Sequence, residues 1–79
     1  MTLTVLLFAS YADAFGAPEV RVELPDGATV RDLVGHVRGL RPDHPLPQAL
    51  VAVNQEYASP TRTLSPNDEV AIIPPVAGG

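Results

Sequence analysis

Few groups in this 79-residue chain could do covalent chemistry. There is no cysteine, which removes disulfides, thiolate metal sites, iron–sulfur clusters and a thiol nucleophile together. There is no lysine, so no ε-amine can form a Schiff base or receive an isopeptide link. His36 and His44 stand apart, and the sequence sets no carboxylate or hydroxyl beside either to form a triad. Two separated histidines predict no metal site. Asp68 and Glu69 are adjacent, so their side chains diverge, and they read as turn and surface residues. Gly16 and Gly27 are isolated turn glycines and make no phosphate loop.

What remains is the last stretch, Pro74-Pro75-Val76-Ala77-Gly78-Gly79. The prolines fix φ and hold the chain extended. Val76 to Gly79 then reach at most ~13–14 Å. Gly78 and Gly79 lack a Cβ, so their backbone can pass through a channel too narrow for other residues. At the far end stands an ionised α-carboxylate. A carboxylate is a poor electrophile until a partner activates it, for example as an acyl-adenylate. The chemistry this tail could do is therefore acyl transfer, with Gly79 as the reagent and the rest of the chain as its handle.

The elements that must position the tail are legible from periodicity. TLTVLLFA reads as a strand with Leu3, Val5 and Leu7 on one face and Thr4, Leu6 and Phe8 on the other. EVRVEL alternates Val20, Val22 and Leu24 with Glu19, Arg21 and Glu23, a strand with one solvated face. The residues between them, SYADAFGAPE, read as a hairpin connection with room for one helical turn. PDGA is a turn. A helix follows over ATVRDLVGHVRGL, with Thr29 as N-cap, Asp32 in the first turn, and Val30, Leu33, Val34, Val37 and Leu40 as its apolar stripe. His36 falls opposite that stripe. The three prolines of RPDHPLP end the helix. LVAVN is a third strand, Tyr57 marks a short edge strand, and EVAIIP is the last strand.

The order β-β-α-β-(β)-β predicts an α+β, β-grasp (ubiquitin-like) fold: a four- to five-stranded mixed sheet covered on one face by a helix. The first and last strands, the most apolar, should be central neighbours. A ferredoxin-like unit would need a second helix, and the stretch Ala12–Phe15 is too short to supply it. Residues 1–75 read as one domain and residues 76–79 as a flexible C-terminal tail.

A single helix cannot cover both faces of such a sheet. Thr4, Leu6, Phe8, Ala71 and Ile73, with Tyr57 nearby, should form an apolar patch on the open face, read either as a partner surface or as a self-covering, self-associating sheet. The formal charge of −4 disfavours nucleic acid and suits a basic protein partner. The apolar N-terminal stretch lacks a basic leader region and is too short to span a bilayer, so a soluble cytoplasmic protein with no membrane partner is expected.

VLLFASYADAFG, VAVNQEY and above all DEVAIIPPVAGG resemble the small subunit of molybdopterin synthase, the MoaD-type sulfur carriers of the MoaD/ThiS ubiquitin-like superfamily. The resemblance spans essentially the whole chain. It implies that Gly79 is adenylated by an E1-like enzyme using ATP and then converted to a thiocarboxylate. It implies that Val76, Ala77 and Gly78 thread into the large synthase subunit, where sulfur passes to cyclic pyranopterin monophosphate during molybdenum cofactor biosynthesis. No cofactor is expected to be bound; ATP belongs to the activating partner, and a separate sulfur donor is required. Phe8, Tyr57 and Ile73 match the family's interface, with Pro74 and Pro75 counted in it. Ubiquitin-like protein modifiers and the carriers for thiamine or tRNA thiolation share the tail and stand as alternatives. Two departures are visible. Ala12 and Asp13 stand where relatives often carry Arg-Glu. Asn67 replaces a turn glycine and is expected to take over its positive φ.

Overall fold

The computed structural model describes residues 1–75. Its elements are β1 (Thr2–Leu7), α1 (Ser10–Phe15), β2 (Glu19–Glu23), α2 (Val30–Gly39), β3 (Leu50–Val53), β4 (Glu56–Tyr57) and β5 (Val70–Ile73). The strands form one sheet in the order β2-β1-β5-β3-β4. β1 runs antiparallel to β2 and parallel to β5, while β3 is antiparallel to both β5 and β4. The fold is the expected β-grasp, with the first and last strands side by side at its centre.

The core forms where the sheet's inner face meets α2. Leu3, Val5, Leu7, Val51, Val53, Val70 and Ile72 are buried under Leu33 and Val37. Alternation accounts for the choice of face, because a period of two sends each buried residue's neighbours outward. Thr29 caps α2 as its sequence suggests. Its Oγ1 accepts from the Asp32 N–H at 3.3 Å, and the Asp32 carboxylate accepts from the Thr29 N–H at 2.9 Å, a reciprocal capping box. The stripe is shorter than its periodicity predicts. Val30, Leu33 and Val37 are buried and Val34 half-buried, but the helix ends at Gly39 and leaves Leu40 as its exposed C-cap. Pro42, two residues on, cannot continue it.

The connection between β1 and β2 departs further from expectation. It is a helix, Ser10–Phe15, entered through Ala9 at φ 51° and closed by Gly16 in the left-handed region at φ 63°. Tyr11 explains it. Its ring is fully buried in the main core, and its hydroxyl donates to the Pro47 carbonyl at 2.6 Å. That anchor ties α1 to the loop after α2. Arg41 adds a second tie: its guanidinium lies 4.4 Å from the Phe15 ring centroid, and Nε donates to the Ala14 carbonyl.

The β3–β4 turn is Asn54-Gln55, both residues at positive φ (53° and 70°), the geometry of a two-residue hairpin. The turn before β5 differs from expectation, since Asn67 is not at positive φ. That turn is closed without it. The Asp68 N–H donates to the Ser65 carbonyl at 3.0 Å, and the Asp68 carboxylate accepts from the Ser65 N–H at 2.7 Å.

Candidate functional site

The open face of the sheet carries two apolar rows. Register places Glu19, Leu6, Ala71, Ala52 and Tyr57 side by side across all five strands. In the next row Leu50 stands opposite Ile73, with Phe8 just beyond the end of β1 on the other flank of β5. The two alanines at the centre have little side chain, so Leu6, Phe8, Tyr57 and Ile73 wall a trough of about 320 Å³. Phe8 is 46% exposed, Leu50 57% and Tyr57 71%. A small sheet gains nothing by presenting these residues to water, and a contiguous patch of this kind is a candidate contact surface.

The rim is acidic. Glu69 borders the trough, and Glu19, Asp68 and Glu69 border the adjoining depression near Thr2 and Thr4. Asp68 has a structural task beside its charge. Its carboxylate accepts from the Ser65 N–H and from the Asn54 side-chain amide at 2.9 Å, while the Asn54 side-chain carbonyl accepts from the Glu69 N–H at 3.0 Å. The Ser65 backbone hydrogen bond, followed by the Asn54 one, holds the Asp68 carboxyl below its ordinary range. This brace joins the β3–β4 turn to the start of β5, and so fixes the strand that leads to the tail.

β5 leaves the sheet at Ile73, between Phe8 and Leu50. Ile73 is half-buried, Pro74 is covered by its own chain, and Pro75 is exposed. The accessible proline of the pair is therefore Pro75. Val76, Ala77, Gly78 and Gly79 lie outside the described residues. Leu50 and Ala52 were not singled out by sequence reasoning. Their alternation with the buried Val51 and Val53 is the signal that finds them.

The histidines take no part: His36 and His44 are both exposed and away from this face. Among the described residues no group of three or more His, Asp or Glu is placed to hold a metal ion. Among them, too, no helix is long and apolar enough to cross a membrane.

One sheet face packed beneath a helix, an open apolar face opposite, and a central last strand running out beside that face define a ubiquitin-like β-grasp protein. The chain belongs to the ThiS family, whose model matches residues 5–79. It is similar to the molybdopterin synthase sulfur carrier subunit of Chlamydomonas reinhardtii, with 40% identity and full coverage of both chains. It is 39% identical to the subunit of the same name from Dictyostelium discoideum, over 95% of this chain and 93% of that one. Among solved structures, SAMP1 from Haloferax volcanii superposes with a TM-score of 0.82 at 31% identity, covering 100% of each chain. The resemblance seen in PPVAGG and the strands before it is thus carried by the whole chain.

Proposed function

We propose that this protein is the sulfur-carrying small subunit of a molybdopterin synthase. The observation that carries the reading is the course of β5. The strand ends at Ile73, inside the apolar patch of Phe8, Leu50 and Tyr57, and the chain beyond it reads Pro-Val-Ala-Gly-Gly. A partner seated on the patch would meet the tail where it leaves the sheet. The names of the Chlamydomonas and Dictyostelium relatives, molybdopterin synthase sulfur carrier subunits, support both the cargo and membership of a synthase; the partner in this reading is the large synthase subunit.

The chemistry follows from the carboxylate. An E1-like enzyme joins the Gly79 carboxylate to AMP from ATP, releasing pyrophosphate. Sulfide-level sulfur from a donor then attacks the acyl carbon, and AMP leaves with the bonding pair. The product is a thiocarboxylate on Gly79. Within the large subunit the thiocarboxylate sulfur would bond to a carbon of cyclic pyranopterin monophosphate, and water would hydrolyse the thioester so formed, leaving the sulfur on the pterin and a carboxylate on Gly79. Two such rounds supply a dithiolene. The chain itself contributes docking and delivery, and no side chain of its own need enter the reaction.

Deleting Gly79 tests this. The core of the described residues runs from Leu3 to Ile72, so the fold should persist while sulfur transfer to the pterin is abolished. A deletion variant that still transfers sulfur would contradict the proposal.

The likeness to SAMP1, a small archaeal modifier protein by the name given to its relatives, favours a second reading in which Gly79 is joined to lysines of other proteins. This chain has no lysine, so it could not build lysine-linked chains on itself. Such conjugates would carry single copies, visible in lysate as discrete higher-mass species; their absence would count against this reading.

A further inference from the structure

A second groove lies between α2 and the outer edge of β3, meeting the apolar patch at Leu50. β4 pairs only with Ala52 and Val53, and the Ala58 N–H still donates to the Val51 carbonyl at 2.9 Å. The chain then turns off. The Pro60 and Arg62 carbonyls accept from the Arg31 and Val30 N–H groups, both at 2.9 Å, so this segment is strapped to the start of α2. Ala49, the residue just before β3, lines the groove beside that edge. Among the described residues no hydrogen bond reaches the Ala49 N–H or C=O. The edge of β3 is therefore open for one further pairing step, and it forms one wall of a groove of about 540 Å³.

The opposite wall is α2. Val34, Val51 and Ala58 give the groove an apolar floor, and Arg31 and Arg38 stand on the helical side. Gly35 leaves a gap between them, where an added Cβ would meet nothing within 4 Å. The sign of the charge is the second observation. The chain carries a net −4, and the two depressions on the open sheet face are lined by Glu19, Asp68 and Glu69 without an arginine. This groove has the reverse: two arginines and no carboxylate.

We propose that the groove binds an extended peptide segment of a partner protein, alternating apolar and acidic residues, as a strand added to the free edge of β3. The backbone of Ala49 supplies the pairing. The apolar side chains enter between Val34 and Ala58, and the carboxylates meet Arg31 and Arg38. The groove shares no lining residue with the trough of Phe8 and Tyr57, and Leu50 stands between the two.

The test is an NMR titration of the full chain with a capped hexapeptide of alternating valine and aspartate, beside its valine–lysine counterpart. The aspartate peptide should shift the Ala49 amide and those of Val34 to Arg38, and slow Ala49 exchange at least tenfold. The lysine peptide should not saturate. Gly35→Leu, which gains helix propensity, should weaken binding at least tenfold by filling the groove. Arg31→Glu, at an exposed position, should do the same by charge. Equal binding of the two peptides, saturable shifts confined to the Phe8–Tyr57 face, or unchanged affinity in both variants would overturn the proposal. So would an Ala49 amide already protected without peptide, which would assign the edge to residues 76–79 of the chain itself or to a second copy.

Discussion

Leu50 and Ile73 stand directly opposite each other across the β3–β5 ladder, on the open face of the sheet. Ile73 is the last residue of β5, so the strand ends within the patch that Leu50, Phe8 and Tyr57 expose. The exposed apolar patch and the end of the last strand are therefore one place. Under the proposed function, a partner seated on the patch would meet the chain where it leaves the sheet.

Tyr57 sits on a two-residue edge strand and loses little on folding, since most of its surface stays in water. Tyr57→Glu should shift unfolding stability by no more than about 0.5 kcal/mol. If Tyr57 anchors the interface, the same change should weaken capture of the large synthase subunit by roughly 30-fold, the equivalent of about 2 kcal/mol. Calorimetric titration against denaturant unfolding separates the two. Full affinity in the variant would remove Tyr57 from the interface.

Asp68 predicts how stability depends on acid. Hydrogen bonds from Ser65 and Asn54 favour its ionised form in the folded state, so its folded pKa lies below its unfolded value. A depressed carboxyl stabilises the fold above the unfolded value, near 3.9, and that contribution is lost as pH falls through the folded value. Asp68→Asn should therefore be less stable than the parent at neutral pH, with the two curves converging at the acid end. Denaturant midpoints between neutral pH and pH 2 measure this; curves that stay parallel would contradict the brace.

The parts of the fold legible in the sequence were those decided by near neighbours. Thr29 and Asp32 lie three residues apart, so their capping box can be read without knowing the fold. Val20, Val22 and Leu24 alternate with charges, which leaves one choice of face. The patch was partly legible for the same reason: Leu6, Phe8 and Ile73 had no second helix to cover them. Tyr11 was not legible, because its place depends on the Pro47 carbonyl, 36 residues away. Its ring packs into a core that only the folded chain assembles, and Arg41 holds Phe15 and Ala14 from 26 and 27 residues away. Asn67 misled in the other direction. The turn needed a carboxylate at Asp68 to receive the Ser65 N–H, and not a left-handed residue. The groove beside β3 depends on where the chain after Ala58 turns away, which no local pattern encodes.

Tyr11 makes a further quantitative statement. Tyr11→Phe removes only the hydrogen bond to Pro47 and should cost about 1 kcal/mol. Tyr11→Ala empties a fully buried site and should cost about 3–5 kcal/mol, by analogy with large aromatic truncations. In a domain this small that loss threatens the folded state. Burial also raises the Tyr11 pKa, with Arg38 opposing. The phenol's contribution is present below the unfolded value near 10 and is lost as pH rises above it. Thermal unfolding of the three proteins at neutral and alkaline pH gives both comparisons. Equal stability of Tyr11→Ala and the parent would show that α1 is not anchored through this ring.

The central claim concerns one atom on Gly79. Intact-mass spectrometry, with fragmentation to locate the change, should be applied to the full chain after incubation with an E1-like adenylating enzyme, ATP and a sulfur donor. The account predicts a gain equal to the exchange of one oxygen for one sulfur, confined to Gly79 and dependent on ATP. An unchanged mass, or sulfur located anywhere else in the chain, would contradict it.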